Sequence, residues 1–260
     1  FAQWEELLVR IPLGSLAPWS WVWEQGSALP PGHIFGGREA EPHSRPYMAY
    51  LKRKFEGENT FCGGFLVAEN FVLTAAHCQA DNTLVLLGAH NIRQSEKSQQ
   101  LIPVQSSYPH EDYDEESLNN DIMLLQLSRN VTQDENVAPI GLPDAAEDVE
   151  PGTRCSVAGW GSLSTDGKLL PIALREVNVV VIPDDACPTD PYGPYHYYNH
   201  RTMMCVGNPA EFYDSAKGDS GGPLVCGGTA QGIVSWGNEK APGVYTKISA
   251  FLPWINSTMK

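Results

Sequence analysis

A chain of 260 residues with 42% apolar and 18% charged side chains carries enough apolar surface for a substantial core, which excludes a disordered chain and fits one large domain or two small ones. Its formal charge of −14 excludes the basic face that a phosphate backbone requires, so no nucleic-acid partner is expected. Plentiful Gly (24) and Pro (20) favour short strands joined by turns, an all-β chain.

Residues 1–33 differ from the rest: four of the seven tryptophans lie there, and the stretch ends in Pro30-Pro31-Gly32-His33. Its apolar part, Leu7 to Trp23, is broken by Arg10, Pro12 and Pro18, which rules against a spanning helix, and no membrane association is expected. Without a basic start, an unbroken apolar centre or a small-residue cleavage site, it is not a clear signal peptide. It is expected to be an upstream segment or propeptide outside the mature fold of 34–260.

From Ile34 onward, short apolar runs alternate with turn residues. Phe71-Val72-Leu73, Leu84 to Leu87, Ile122 to Leu125, Val177 to Ile182, Gly232 to Trp236 and Val244 to Ile248 all read as buried strands. The acidic run Glu111 to Glu116 reads as an exposed loop. A helical period emerges only at the end, where Ser249 is expected to cap a short helix through Lys260 with Phe251, Leu252 and Ile255 on one face and Pro253 in its first turn.

Six cysteines, Cys62, Cys78, Cys155, Cys187, Cys205 and Cys226, form an even set without a CxxC pair. Such a set suits disulfides and an oxidising compartment better than zinc, and the sequence alone leaves the pairing open. Two sequons, at Asn130 and Asn256, agree with a secreted glycoprotein.

Gly218-Asp219-Ser220-Gly221-Gly222-Pro223-Leu224 sets a serine among glycines, where backbone can approach a substrate and amide hydrogens can face a cleft. A serine hydroxyl is a weak nucleophile at neutral pH, so a histidine must take its proton and an acid must orient that histidine. His77 in Leu73-Thr74-Ala75-Ala76-His77-Cys78 and Asp121 in Asn119-Asn120-Asp121-Ile122 are the candidates. Taken singly, the serine could be a turn residue, the histidine a packed neighbour of a disulfide, and the aspartate a strand-start residue. Together they point to nucleophilic catalysis.

These motifs, in this order, resemble the trypsin/chymotrypsin family of serine proteases. Ala158-Gly159-Trp160-Gly161 and Ser235-Trp236-Gly237 belong to the same resemblance, which runs from Ile34 to about Trp254. It implies two packed six-stranded antiparallel β-barrels with a short C-terminal helix, barrel 1 over about 34–140 and barrel 2 over about 141–248. It also implies the disulfides Cys62–Cys78, Cys155–Cys226 and Cys187–Cys205. The implied activity is serine endopeptidase action through an acyl-enzyme, with Ser220 attacking, His77 accepting the proton, Asp121 holding the imidazole, and Gly218 and Ser220 N–H groups forming the oxyanion hole.

In the trypsin branch a carboxylate six residues before the serine floors the specificity pocket, here Asp214, followed by Ser215; Gly237 and Gly243 match the walls, with Ser235 and Trp236 beside them. That implies cleavage after Arg or Lys. Ala216 stands where trypsins have a bracing cysteine, which resembles granzymes, mast-cell proteases and cathepsin G, as do Glu39 to Tyr50 and Gly88-Ala89-His90-Asn91-Ile92. A chymase-like preference is the alternative. The acidic charge departs from that subgroup, so secretion is expected with granule storage as an option.

Ile34-Phe35-Gly36-Gly37 resembles the family's mature N-terminus, whose freed ammonium inserts beside Asp219, so the intact chain is expected to be a zymogen. His33 precedes the cut, so trypsin-like self-activation is not expected. No cofactor or metal is expected: His196 and His200 are four apart but lie in or beside a Pro/Gly/Tyr-rich loop, and Ala89 and Gln99 stand where calcium-binding trypsins supply carboxylates. The expected partners are protein or peptide substrates and serpin-type or other protease inhibitors, with the chain a monomer. The competing reading is a catalytically silent binding or signalling protein on the same fold.

Overall fold

The computed structural model describes residues 37–144, 148–162, 170–187, 194–207, 219–237 and 242–260. Ile34 and the boundary between 33 and 34 lie outside them. The strands are β1 (Arg38–Glu39), β2 (Met48–Phe55), β3 (Glu58–Ala68), β4 (Phe71–Thr74), β5 (Asn82–Leu87), β6 (Gln100–Pro109), β7 (Met123–Leu127), β8 (Arg154–Gly159), β9 (Arg175–Ile182), β10 (Met203–Gly207), β11 (Pro223–Cys226), β12 (Thr229–Trp236) and β13 (Gly243–Lys247).

Barrel 1 runs β2-β3-β4-β7-β6-β5 and closes because β5 pairs back onto β2. Barrel 2 runs β9-β10-β13-β12-β11-β8 and closes through β8 on β9. Closure leaves neither sheet with the open edge that invites pairing with other chains. β1 adds to β9, pairing Arg38 with Glu176, so it joins the second barrel although it precedes the first in sequence.

Alternation explains the strands that face a barrel interior on one side only: in β2, Ala49 and Leu51 are buried while Lys52 and Lys54 are exposed. β4, β7 and β13 instead bury nearly every residue. Disulfides join Cys62 to Cys78, Cys155 to Cys226 and Cys187 to Cys205. Their separations of 16, 71 and 18 residues correspond to about 3 to 4.5 kcal/mol each in the loop-entropy account.

Helix α1 covers Leu252–Thr258, after a 3-10 turn over Ile248–Phe251. Ser249 is therefore not its cap. Phe251 occupies that position with no side-chain cap bond, and Pro253 sits in the first turn. In a 3-10 turn residues i and i+3 eclipse, and this one plants Ile248 and Phe251 together, beside Ile255, in an apolar cluster that joins barrel 1 residues to Ala230 and Ile233 of β12. Trp254 leans on His110, ring centroids 5.2 Å apart, and its Nε1 donates to Glu111. Among the described residues no helix is long and apolar enough to cross a membrane.

A buried lysine and a half-buried glutamate away from the junction of the barrels need partners. Lys247, at the end of the wholly buried β13, donates to Asp148 at 2.9 Å and to the His200 carbonyl at 2.7 Å. Glu176 lies between Arg38 and Arg45 at 2.9 and 3.0 Å. Burial pushes the Glu176 carboxyl up, but hydrogen bonds and charge from Arg45 and Arg38 outweigh it and hold the group below its ordinary 4.5. Arg38 is 81% exposed and adds little; Arg45 carries the effect.

A carboxyl whose folded pKa lies below its unfolded one contributes stability above the unfolded value and loses it as pH falls through the folded one. Glu176→Gln should therefore cost about 1 to 3 kcal/mol near neutrality, with the Tm gap to the parent chain closing as pH falls below the ordinary carboxylate range. Calorimetry across that range checks it; a gap that ignores pH would exclude Arg45 as the cause.

Candidate functional site

His77 leaves β4 in a 3-10 turn, Ala76–Cys78, pinned by the Cys62–Cys78 bond to β3. Asp121 lies two residues before β7, with its side chain wholly buried while that of His77 is 25% exposed. Such burial is tolerable only if donors surround the carboxylate. His77 N–H donates to Oδ1 at 2.9 Å, Nδ1 lies 2.7 Å from Oδ2, and Ser235 Oγ donates to Oδ2 at 2.5 Å. With Nδ1–H donating, the lone pair of the neutral ring is on Nε2. Thr246 Oγ1 holds the Asp121 carbonyl at 2.8 Å, so both barrels grip this residue.

Ser220 is brought to the same place through its main chain. Its carbonyl accepts from Gly63 N of β3 at 2.8 Å, and Cys78 Sγ lies 3.7 Å away. Gly221 N donates to Val234 O, and Gly222 N to Asp219 O, each at 2.8 Å. Gly221 has φ +82, and a Cβ there would collide with Thr74 Oγ1, so only glycine fits. Among the described residues Ser220 Oγ shares no hydrogen bond with His77; nucleophile–base contacts commonly tighten only with substrate bound.

The approach to Asp121 is strained, with Leu118 at φ 54 and Asn120 at φ 58, a conformation that is rare for a side chain like leucine. Asn119 Oδ1 accepts from Asn199 Nδ2 at 3.2 Å, which ties the segment to barrel 2. Tyr113 is half-buried beside it. Burial first, then the charges of Asp121, Glu115 and Asp114, push its phenol well above the ordinary range.

A second buried carboxylate, Asp219, follows a different plan. Gly161 N donates to its Oδ1 at 2.8 Å, and a Cβ on Gly159 or Gly161 would run into the carboxyl group. The backbone of Gly159 to Gly161 is thus its cradle.

Of the residues expected to meet substrate, Trp236 packs against Tyr195 with centroids 5.1 Å apart, Gly237 is exposed, and Gly243 faces Val206 across the ladder. Ser235 sits at a register shift between Val234 and Trp236, and its hydroxyl is committed to Asp121. Asp214, Ser215 and Gly218 lie outside the described residues. Sequence reasoning missed the supporting hydroxyls of Thr246 and Thr74, which donates to Gly63 O at 2.8 Å; a threonine in a strand carries no local mark of such a role.

Cys62, His77 and Cys78 bring possible metal-ligand atoms within 4.8 Å, but both sulfurs are spent in their disulfide, which leaves one imidazole. His196 lies in a 3-10 turn over Pro194–Tyr197 with His200 beyond it, so no common helix aligns them. In the loop from Gly88 to Gln100, Glu96 accepts from the N–H groups of His90 and Asn91 and from Gln99 Nε2.

The sequence model of the family described as Trypsin matches residues 34–255. The chain belongs to the trypsin family. It is 50% identical over 236 residues to Duodenase-1 of Bos taurus, covering 88% of this chain and 90% of that protein. Against Granzyme B of Homo sapiens it is 49% identical over 231 residues, 88% of this chain and 92% of the relative, and against human Cathepsin G 48% over 235 residues, 88% of each. A solved structure named "Structure of GrC" superposes with a TM-score of 0.81 at 46% identity, covering 86% of this chain and 98% of that one. This member of the trypsin family is a serine endopeptidase of the subgroup that includes granzymes, cathepsin G and mast cell proteases.

Removing the Ser235 hydroxyl leaves a fully buried carboxylate one donor short, so Ser235→Ala should lower unfolding stability by about 1.5 to 3 kcal/mol. Urea denaturation reads this directly; an unchanged midpoint would mean that Ser235 does not support Asp121.

Proposed function

We propose that Ser220, His77 and Asp121 carry the endopeptidase reaction and that cleavage follows Arg or Lys. The observation that supports the triad most is the 2.7 Å contact between His77 Nδ1 and the wholly buried Asp121, which orients a basic Nε2. Ser220 Oγ attacks the peptide carbonyl and His77 Nε2 takes its proton. The tetrahedral oxyanion is held by the N–H groups of Gly218 and Ser220, where one lost donor typically costs about 3 to 4 kcal/mol. Collapse expels the amine, protonated by His77, and leaves an acyl-enzyme that water then opens by the same proton route.

The Arg/Lys preference rests on Asp214 and Ser215 as pocket floor and on Gly237 and Gly243, whose missing side chains leave room for a long residue. Activation rests on Asp219: a fully buried carboxylate in a cradle of glycine backbone suits the ammonium of Ile34 once the preceding segment is cut. The chain is further proposed to be a secreted monomer that meets protein substrates and serpin-type inhibitors. Asn130 and Asn256 are both exposed and are the proposed glycan sites.

The test uses the full chain with an enteropeptidase recognition sequence in place of residues 29–33, so that cutting frees Ile34. The cut chain should take up a serine-reactive phosphonate at Ser220 and cleave Arg or Lys peptide substrates faster than Phe, Leu or Asp ones. Ser220→Ala should lower kcat at least about 10⁴-fold. Activity that survives this substitution sinks the triad; preference for Phe sinks the pocket assignment in favour of a chymase-like one.

A further inference from the structure

Strand β2 contains a residue that its pattern does not call for. Ala49 and Leu51 face the interior of barrel 1 and are buried, and two residues on, the same face carries Arg53. A side chain at such a position is ordinarily apolar. The Arg53 guanidinium is half-buried, its Nε is buried without a partner, and burial holds its pKa below the ordinary value for arginine. Even so it stays charged, since arginine does not lose its proton in proteins.

Its one hydrogen bond among the described residues runs from Nη1 to the carbonyl oxygen of His77, at 3.3 Å. No carboxylate forms an ion pair with it there. A partly desolvated cation with a single acceptor is a local cost, and sites where the local rule is broken in this way are where function is expected. His77 is thereby held at both ends of its residue: its N–H by Asp121 and its C=O by Arg53.

We propose that Arg53 is a positioning residue for the hydrolytic reaction, fixing the main chain of His77 through its carbonyl and so the seat of its imidazole against Asp121. This rests on His77 being the base, as proposed above. Lys52 and Lys54 flank Arg53 on the outward face of β2, and Asp81, exposed, bonds Lys54 O through its main chain.

The readout is kcat and KM measured separately on the cut chain with whichever peptide substrate it cleaves fastest. Arg53→Met, which keeps length and packing but cannot donate to the His77 carbonyl, should lower kcat about 5- to 10-fold with KM little changed, the order that one net hydrogen bond is worth. Arg53→Lys, which can still donate, should recover most of the loss. An unchanged kcat in Arg53→Met, or an equal loss in Arg53→Lys, overturns the inference. Should Arg53→Met fail to fold, Arg53→Leu carries the same expectation. Parent chain that takes up no phosphonate defeats the proposed site itself; a parent that does, with an indifferent Arg53→Met, defeats only the role of Arg53.

Discussion

The carboxylate of Asp121, wholly removed from water, is the constraint around which the two barrels are arranged. An ionised group in that position is tolerable only if nearby dipoles replace its hydration. The donors come from a turn of barrel 1 (His77) and from β12 of barrel 2 (Ser235), while β13 of barrel 2 holds the Asp121 carbonyl through Thr246. Neither barrel alone satisfies this residue. The interface is thus set by hydrogen-bond geometry as well as by apolar packing, and the orientation of the His77 ring follows from it.

Asp219 repeats the problem with another solution. Where Asp121 is met by two side chains as well as the His77 N–H, Asp219 has the Gly161 N–H at its Oδ1, and the lack of side chains at Gly159 and Gly161 is what lets the backbone come so close. The residue after Asp219 is Ser220, whose carbonyl is bonded to Gly63 N of β3, next to Cys62. Asp219 is thus linked to the disulfide that pins His77 by a short run of covalent and hydrogen-bonded steps.

Much of this was legible in the sequence because the carriers are short and local. The runs at 71–73, 84–87, 177–182 and 232–236 lie in β4, β5, β9 and β12, since buried strands are rich in apolar residues, although Leu84 and Asn178 within them are exposed. The pairing of Cys187 with Cys205 came from resemblance alone, because spacing does not determine which sulfurs meet. Other features were not legible. Ser249 has the chemistry of a helix cap, but tertiary packing of Ile248 and Phe251 wound its turn differently. Lys247 lies inside the run Val244 to Ile248 that reads as a buried strand, and only the fold shows that Asp148 and the His200 carbonyl meet its charge in the interior. Thr246 and Ser235 support Asp121 from more than a hundred residues away, a distance over which no local pattern speaks.

The distribution of irregular backbone completes the physical account. Barrel strands pair with few interruptions, and their interiors are apolar. Of the four non-glycine residues with left-handed backbone among the described residues, His43 and Glu56 lie in turns elsewhere, while Leu118 and Asn120 lie within three residues of Asp121; the left-handed Gly221 is next to Ser220. Each of the two positions beside Asp121 costs on the order of 1 to 3 kcal/mol, and the segment that carries them is held by Thr246 Oγ1 on the Asp121 carbonyl and by Asn199 Nδ2 on Asn119 Oδ1. Contacts made by barrel 2 thus offset local distortion in the segment that leads barrel 1 into β7, and the buried carboxylate of Asp121 is where the two meet.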